Sequence, residues 1–383
     1  MYEILREGRA VLKIKKANNV SKAMEVFYNP VMKLNRDISI LLLNSIDKNK
    51  LSIADPLAGT GVRSIRFILE LNKSKTKTIT INDYSKNAVK SIKDNLSLNK
   101  INNKKIKIFN EDANLFLLNS SGFDYIDIDP FGSSNSYLEA AIKRISRNGI
   151  LAATNTDTAA LTGTYPKTCV RKYWSVPKRD YMMHETGIRI LIRKIQLIGM
   201  QYEKALFPIF SYFKDHYFRV FFHCIKGKKL CDEIAAKHGM FNDAGPLWMG
   251  KLWDSRLVSK MHSTLLKTPI DNDLLIINFQ KNKKNSIKDN NKNIFKNKKI
   301  INNNQNNNEL LKFLKIIKEE SKIDIVGFYD MHNIARKLKL KTMMKKEDII
   351  KKIRKKGFKA SNTHFSGTGI RANIDYKKFL KLI

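Results

Sequence analysis

The sequence has few cysteines and no long apolar run, and both absences narrow the kind of protein it encodes. Its three cysteines, Cys169, Cys224 and Cys231, form no C-x-x-C pair, so neither a disulfide framework nor a closed zinc site is expected. The stretch MYEILREGRAVLKIKK lacks the apolar segment of a signal peptide, and no apolar run approaches membrane-spanning length. We therefore expect a cytoplasmic protein with no membrane partner.

Acidic residues are scarce relative to basic ones. The 383 residues include 72 lysines and arginines but only 35 aspartates and glutamates, which gives a formal net charge of +37. This excess favours a polyanionic partner, most simply a nucleic acid. Lysines that merely solvate the surface are the alternative. Since 43% of the residues are hydrophobic, most of the chain should fold, and its length is enough for two domains.

Residues 278–308 contain little that could form a core. They include 13 asparagines and 8 lysines in 31 positions. Such a segment cannot bury enough apolar surface to offset its ordering entropy. We interpret it as a flexible surface insertion of low complexity, after which periodic apolar sequence resumes at ELLKFLKIIKEE.

Strand-like and helix-like segments alternate ahead of this insertion. The predicted strands are 51–56, 78–83, 106–112, 123–129 and 149–157, and the predicted helices are 62–72, 85–99 and 136–148. This order predicts an α/β fold with a mostly parallel, doubly wound, Rossmann-like sheet. Its ligands should bind at the carboxyl ends of the strands.

The first three strand ends suggest a nucleoside pocket. Gly59 and Gly61 follow the first strand in ADPLAGTGVRS, with no G-K-[ST] for a P-loop and with Ser64 in place of a third glycine. Asp83 lies 22 residues after Gly61, at the spacing of a ribose-binding acid, and Asp112 ends the third strand. Together they suit an adenosine ligand without pyrophosphate, which S-adenosylmethionine satisfies and NAD does not. A ligand-free turn and helix N-caps are the alternatives, although Ser85 fits the second cap better than Asp83.

The fourth strand ends in DIDPFGSS, which could prepare an amine for methyl transfer. The lone pair of an exocyclic base amine is delocalised, so a carboxylate and nearby carbonyls must polarise its hydrogens and accept a proton. Asp129 would supply that carboxylate and Phe131 a stacking face, while Asp127 lies further back on the strand. As an alternative, Asp129 would only cap the following helix, a role that Ser134 can also fill.

Seven segments resemble one family, the archaeal form of the tRNA (guanine(26)-N2)-dimethyltransferases. They are VFYNPVMKLNRDISI, DPLAGTGVRSIRF, DIDPFGSS, TNTDTAALTGTYPKTCVRKY, HETGIRILI, GPLWMGKLWD and THFSGTGI, in order along nearly the whole chain. The resemblance implies a Rossmann-like class I methyltransferase domain over residues 1–225, including an N-terminal extension. It also implies a smaller, basic, tRNA-binding α+β domain over residues 226–383, which would contain the insertion.

The resemblance further implies one or two methyl groups transferred from S-adenosylmethionine to N2 of guanine 26 in tRNA. It makes Asp129 the catalytic carboxylate. The implied donor-binding residues are Arg36, Arg63, Asp83, Asp112, Ala113 and Gly59, and the implied substrate-binding residues are Phe131, Asp157, Arg171 and Lys172. Arginine suits the methionine carboxylate because it can donate paired hydrogen bonds.

One departure from the family concerns metal. Many relatives carry paired cysteines before the GPLW segment, whereas this chain offers only Cys231 there. We therefore predict no metal site and expect His238 to be a surface residue. No obligate protein partner is evident either.

Two basic segments are candidates for binding tRNA phosphates and bases. Residues 167–181 interleave aromatic side chains with cations, and residues 334–365 predict two helices with a basic face.

Two rival functions stay open at this point. One is a DNA amino-methyltransferase, which carries a similar D-P-P-[FY] turn. The other is a non-catalytic RNA-binding protein, against which the intact Gly59, Asp83 and Asp129 argue.

Overall fold

The structure is a computed structural model that describes residues 2–15, 26–267, 274–277, 298–300, 304–340 and 342–383. For residues 274–277, 298–300 and 304–308 it describes the backbone only. The predicted flexible insertion at 278–308 therefore lies largely outside the described residues.

The elements of the amino-terminal half follow the predicted alternation closely. The strands are β1 Tyr2–Glu7, β2 Ala10–Lys15, β3 Leu51–Asp55, β4 Thr76–Asn82, β5 Ile106–Phe109, β6 Phe123–Ile128 and β7 Ile145–Asn155. The helices are α1 Lys33–Ser45, α2 Val62–Glu70, α3 Lys86–Leu98, α4 Ala113–Leu118, α5 Asn135–Arg144, α6 Thr158–Leu161 and α7 Pro166–Tyr173. A short 3-10 helix, Pro30–Met32, precedes α1.

The second half continues with longer hairpins and further helices. Its strands are β8 Lys204–Lys214, β9 Tyr217–Lys226, β10 His238–Phe241, β11 Ala244–Trp248, β12 Leu274–Ile277, β13 Lys298–Ile300, β14 Tyr329–Asp330, β15 Ala360–Asn362 and β16 Gly369–Ala372. Its helices are α8 Met183–Met200, α9 Lys228–Ala235, α10 Ser255–Lys267, α11 Asn304–Glu320, α12 Met331–Leu338, α13 Lys346–Lys355 and α14 Tyr376–Leu380. None of these helices, within the described residues, is long and apolar enough to cross a membrane.

The chain divides into two compact units, each made of two stretches of sequence. The first contains residues 1–119 and 264–311, and the second contains residues 120–263 and 312–383. This spatial division differs from the predicted boundary between residues 225 and 226, which describes functional domains and stays a prediction.

In the first unit, three parallel strands lie in the order β5-β4-β3, with Ile53 beside Ile79 and Ile81 beside Ile108. Strand β3 is buried along almost its whole length, as expected for a parallel strand covered on both faces. A separate antiparallel sheet has the order β13-β12-β1-β2.

In the second unit, β6 and β7 are parallel, while β9 and β8 continue the series antiparallel, in the order β6-β7-β9-β8. The predicted helix 136–148 is too long, because α5 ends at Arg144 and β7 begins at Ile145. Ile145 pairs with Phe123 of β6, and the Ser146 hydroxyl donates to Asp124 Oδ1 at 3.0 Å. These contacts with β6 favour an extended backbone over another helical turn.

The core of the second unit contains a buried ion pair. Asp127 of β6 and Arg219 of β9 are both 0% exposed. Arg219 Nη1 donates to Asp127 Oδ1 at 2.8 Å and Nη2 donates to Oδ2 at 2.7 Å. The Tyr125 hydroxyl donates to the same carboxylate at 2.6 Å, and Arg219 Nη1 also donates to the Thr154 hydroxyl at 2.8 Å. Each charge is therefore both paired and hydrogen-bonded, the condition under which buried charges are tolerated.

We expect Asp127→Asn to lower the free energy of unfolding by about 3–5 kcal/mol, because it deprives the buried Arg219 cation of the charged carboxylate to which it is hydrogen-bonded. Urea denaturation of the full chain measures this loss. Asp232→Asn, at an exposed position of α9, is the matched control and should leave stability within about 0.5 kcal/mol of the parent. The double variant Asp127→Asn, Arg219→Met should recover part of the loss. An Asp127→Asn protein as stable as the parent would contradict this account of the pair.

Candidate active site

The turn between β3 and α2 requires its two glycines. Gly59 and Gly61 have φ angles of +54° and +77°, in the left-handed region that favours glycine. A Cβ on Gly59 would also lie 2.8 Å from the backbone oxygen of Phe27. The Ser64 hydroxyl, where a dinucleotide fingerprint would have its third glycine, donates to Asp55 Oδ2 at 2.7 Å. The turn is thus closed from both sides by specific contacts.

Asp83 and Gly59 are brought together as the sequence predicts. The backbone N–H of Gly59 donates to Asp83 Oδ2 at 2.8 Å, and that of Ser85 donates to Oδ1 at 2.9 Å. Ser85, and not Asp83, caps α3, because its hydroxyl accepts from the N–H of Ala88. Burial raises the pKa of Asp83, and the two backbone hydrogen bonds oppose that effect. The carboxylate is therefore held in one orientation at the end of β4.

Asn82 is a residue that sequence reasoning missed. Its side chain is fully buried and donates to the carbonyls of Pro56, at 3.1 Å, and Glu111, at 3.0 Å. Its Oδ1 accepts from the N–H of Glu111 at 3.1 Å. Asn82 thereby joins the loops that follow β3 and β5 to the end of β4. The signal that could have revealed it is an amide side chain at the last position of a strand rich in β-branched residues, directly before Asp83.

The third strand end carries Asp112 and Ala113. Asp112 caps α4, with its Oδ1 accepting from the N–H groups of Asn114 and Leu115 at 2.9 and 3.2 Å. Asp112 is therefore a helix cap, which the sequence left open as an alternative. Its Oδ2 takes part in neither of these two hydrogen bonds. Ala113 is the buried first residue of α4. Gly59, Asp83, Asp112 and Ala113 together form what we call the donor cluster, all within the first unit.

The two predicted arginines are both buried in the first unit but differ in their partners. Arg36 forms an ion pair with Glu7, with Nε to Oε1 at 2.6 Å and Nη2 to Oε2 at 2.5 Å. Arg36 and Arg66 together offset the effect of burial and lower the pKa of Glu7 to about 2. Arg63 Nη1 donates to Asn35 Oδ1 at 3.0 Å and to the Ser39 hydroxyl at 3.2 Å.

These contacts bear on the predicted role of Arg36. Glu7 occupies the edge of the Arg36 guanidinium that carries Nε and Nη2. Paired hydrogen bonds from Arg36 to the carboxylate of the donor would therefore require Nη1. The assignment of Arg36 and Arg63 to the donor site stays a prediction.

Asp129 follows β6 and is only partly buried, in contrast to Asp127 two residues earlier. Burial is the largest cause that raises the pKa of the Tyr217 hydroxyl, and the charge of Asp129 adds to it. The charge of Asp129 also contributes, after that of Asp127, to raising the pKa of Arg219. Arg219 therefore lies within electrostatic reach of both acids. The helix that follows begins after Ser134 and not after Asp129.

Residues 130–134, which we call the acceptor loop, are tied to the end of β7. The N–H of Gly132 donates to the Thr156 hydroxyl at 2.7 Å, and the N–H of Thr156 donates to the carbonyl of Gly132 at 2.9 Å. Gly132 has a φ of +80°, and a Cβ there would meet nothing within 4 Å, so its backbone angle is the constraint. Phe131 is 38% exposed at the tip of this loop.

Tyr173 is a second residue that sequence reasoning missed. It is fully buried, and its hydroxyl lies 3.1 Å from both the Ser133 hydroxyl and Asp157 Oδ2. It also accepts from Asn155 Nδ2 at 2.9 Å. Burial raises its pKa well above the ordinary value, so the hydroxyl keeps its proton at neutral pH. One phenol thus connects the acceptor loop, the end of β7 and α7.

The predicted substrate-binding residues Asp157 and Lys172 are in contact. Lys172 Nζ lies 3.0 Å from Asp157 Oδ2, and the lysine is 48% exposed. Arg171 is exposed beside it on α7, and its Nη2 donates to the Thr168 hydroxyl at 3.2 Å. Both cations accordingly belong to a solvent-facing part of α7.

Further cations and aromatic rings lie on the surface, as expected for residues 167–181 and 334–365. Trp174 is 47% exposed, and Nζ of the buried Lys194 lies 2.9 Å from the centre of its ring. Burial lowers the pKa of Lys194 to about 8. On α13 the isoleucines are buried, whereas Lys351, Lys352, Lys355 and Lys356, in and just after that helix, are exposed. The basic face predicted for this helix is confirmed.

His238 is partly buried, and the expectation of a surface residue is wrong. Its Nε2 lies 2.9 Å from Gln196 Oε1, and burial lowers its pKa to about 4. All three cysteines are buried and unpaired with one another. Among the residues that the structure describes, no three His, Cys, Asp or Glu side chains come together in a way that could hold a metal ion.

Comparisons with known proteins agree over nearly the full length. The chain is 35% identical to the tRNA (guanine(26)-N(2))-dimethyltransferase of Pyrococcus horikoshii, over 99% of this chain and 97% of that protein. It is 34% identical to the tRNA (guanine(26)-N(2)/guanine(27)-N(2))-dimethyltransferase of Aquifex aeolicus, over 99% and 95% respectively.

A solved structure supports the same relationship. It is Trm1 from Pyrococcus horikoshii in complex with S-adenosyl-L-methionine, which matches with a TM-score of 0.83 and 33% identity over 99% of each chain. The predicted class I methyltransferase fold with a smaller carboxyl-terminal part is confirmed by this likeness. The family model of the N2,N2-dimethylguanosine tRNA methyltransferases matches residues 8–244 and 283–383. This chain therefore belongs to the N2,N2-dimethylguanosine tRNA methyltransferase family.

Proposed function

We propose that this protein transfers one or two methyl groups from S-adenosylmethionine to the exocyclic N2 of guanine 26 in tRNA. The observation that carries the proposal is the similarity of 99% of the chain to dimethyltransferases that act at this position. We also propose that the protein works in the cytoplasm, because tRNA is its proposed substrate. We further propose that it needs no obligate protein partner.

The donor cluster fits S-adenosylmethionine in its chemistry. Asp83 would accept hydrogen bonds from the ribose hydroxyls, since its carboxylate is already oriented by the N–H groups of Gly59 and Ser85. Asp112 and Ala113 would contact the adenine, and Gly59 permits close approach of the backbone. Arg63, with Arg36 through Nη1, would bind the methionine carboxylate. The bound donor supplies a methyl group activated by its sulfonium.

The acceptor loop would prepare the guanine amine. Asp129 would accept a hydrogen bond from the N2 amine, which localises the nitrogen lone pair. It would then take the proton released as the new carbon–nitrogen bond replaces the carbon–sulfur bond of the donor. Carbonyls of the turn at Pro130 would polarise the second hydrogen, and Phe131 would stack on the base. Asp157, Arg171 and Lys172 would position the surrounding nucleotides, with Tyr173 holding Asp157 and Ser133 in place.

Affinity for tRNA would come mainly from charge. Residues 226–383 would form the tRNA-binding domain and residues 1–225 the methyltransferase domain. Each phosphate that is neutralised by lysine or arginine releases counterions, so binding should weaken steeply with salt. Guanine 26 lies at a helix junction, so backbone and shape contacts should dominate, with the target base turned out of its stack. A DNA amino-methyltransferase is the rival, and methylation in the presence of competing duplex DNA separates the two.

Asp83→Ala should weaken donor binding by about 1–3 kcal/mol, the scale of a lost hydrogen bond to a charged group. Calorimetry with S-adenosylhomocysteine measures the change, with Asp94→Ala on the exposed face of α3 as the control. Burial raises the pKa of Asp83. As the pH is lowered, the parent should therefore protonate Asp83, and lose donor affinity, at a higher pH than it would if this aspartate were exposed. Unchanged affinity in Asp83→Ala would remove this residue from the donor site.

Replacing Lys351, Lys352, Lys355 and Lys356 with glutamine should flatten the salt dependence of tRNA binding, because exposed cations on and beside α13 would no longer displace counterions. The slope of log K against log salt should change by about 0.7–0.9 for each phosphate that is no longer neutralised. Lys77, Lys90, Lys93 and Lys104, also exposed, provide a control with the same charge change. Equal slopes in the two quadruple variants would mean that the α13 lysines only solvate the surface.

Asp129→Asn should lower turnover on the order of 10²–10⁴-fold, the usual effect of removing a positioned acid or base. The amide keeps the shape and one acceptor oxygen but loses the charge and most of the basicity. Because the effect falls on the transition state, donor and tRNA binding should persist.

Single-turnover methyl transfer at saturating tRNA and donor measures this loss, with Asp232→Asn as the control. Near-normal turnover of Asp129→Asn, with binding intact, would refute the catalytic assignment.

A further inference from the structure

A cavity of about 430 Å³ lies within the second unit, and most of its lining lies outside the segments to which a role has been assigned above. The rings of Tyr181 and Tyr376 contribute to its walls and are 36% and 44% exposed. Phe328 meets Tyr181 edge to face, with ring centres 5.8 Å apart. Partly exposed aromatic faces around a concave space are a common feature of ligand sites, which are mostly apolar with a few polar groups.

The floor of this cavity is rigid. The N–H of Gly327 donates to Glu185 Oε1 at 2.9 Å, and its carbonyl accepts from Arg371 Nη1 at 3.1 Å. Glu185 and Arg371 are themselves a fully buried ion pair, with Nη2 to Oε2 at 2.7 Å. Gly327 has a φ of +85°, and a Cβ there would lie 2.7 Å from Met182 Cε. Buried contacts therefore hold this part of the lining in place.

Polar groups occupy another part of the lining. Asp330 caps α12 by accepting from the N–H of Asn333 at 2.9 Å, and its other oxygen accepts from the hydroxyls of Ser366 and Thr368 at 2.9 and 2.7 Å. Burial raises the pKa of Asp330, but these hydrogen bonds outweigh it and lower the pKa below its ordinary value. The carboxylate and the Asn333 amide can thus present fixed acceptors and donors to a planar polar ligand.

The lining also belongs to a basic part of the chain. Lys337, one of the lining residues, lies on α12, and residues 331–346 contain six lysines and arginines and no acid. Lys377 and Lys378 follow Tyr376 directly on α14. A ligand of this cavity should therefore carry an anionic group beside a flat aromatic part.

We propose that the cavity binds an unstacked nucleobase of the tRNA, other than the base that is methylated. The aromatic walls provide a stacking surface, Asp330 and Asn333 hydrogen-bond to the edge of the base, and Lys337 pairs with an adjoining phosphate. An apolar peptide would make no use of the Asn333 amide or of the Lys337 cation, and an acidic peptide would place its carboxylates against Asp330. The proposal rests on the proposed function in that it takes tRNA as the substrate.

The test compares tRNA affinity of Tyr376→Ala, Tyr376→Phe and the parent, measured by filter binding at one salt concentration. Loss of a stacking ring should raise the Kd of Tyr376→Ala on the order of tenfold, while Tyr376→Phe keeps the ring and most of the affinity. Tyr2→Ala, an equally large change at a 61% exposed tyrosine that does not line the cavity, should leave Kd unchanged. A circular dichroism spectrum and a thermal unfolding midpoint like those of the parent show that each variant is folded.

A panel of tRNAs, each abasic at one unpaired nucleotide, then locates the base. One abasic tRNA should bind the parent about tenfold more weakly than the intact tRNA does. Tyr376→Ala should bind that abasic tRNA and the intact tRNA equally well, since the variant already lacks the ring on which that base would stack. The proposal would be overturned if Tyr376→Ala left Kd unchanged. It would also be overturned if, for every abasic tRNA, the loss of affinity from the missing base added fully to the loss from Tyr376→Ala. Either result would point to a protein ligand. Failure of the proposed function is distinct, because the parent enzyme would then leave N2 of the intact tRNA unmethylated whatever the Kd values.

Discussion

The buried pair of Asp127 and Arg219 is the constraint on which the acceptor loop depends. Neither charge reaches water, so each is tolerable only while the other stays in place with its hydrogen bonds to Tyr125 and Thr154. The pair links β6 to β9 across 92 residues of sequence. It therefore fixes the path of the chain immediately before Asp129, the residue to which we assign the chemistry.

The same principle recurs at the other strand ends, where buried polar side chains hold loops and leave nearby carboxylates oriented. Asn82 joins the loops after β3 and β5, and Tyr173 joins the acceptor loop to the end of β7. Asp83 is oriented by two backbone N–H groups. Prior orientation matters for function, because a group that is already aligned costs little reorganisation when substrate binds or when charge develops.

The sequence predicts the local features of this protein well. The β–α alternation, the glycines after β3, the cap at Ser85 and the basic face of α13 all depend on residues close together in the chain. Contacts between distant residues could not be predicted, including the pairing of Asp127 with Arg219 and of Arg36 with Glu7. The end of α5 was misplaced for the same reason, since strand pairing with Phe123 outweighs the local helical pattern. His238 was misjudged because its partner, Gln196, lies on a different element.

The central claim is that this chain methylates N2 of guanine 26 in tRNA, and one measurement tests it directly. Unmodified tRNA is incubated with the protein and S-adenosylmethionine, and its nucleosides are then mapped by mass spectrometry, with positions 26 and 27 read separately. We predict N2-methylguanosine or N2,N2-dimethylguanosine at position 26. Methylation at another atom or only at another position, or none at all with a folded, donor-binding protein, would contradict the account.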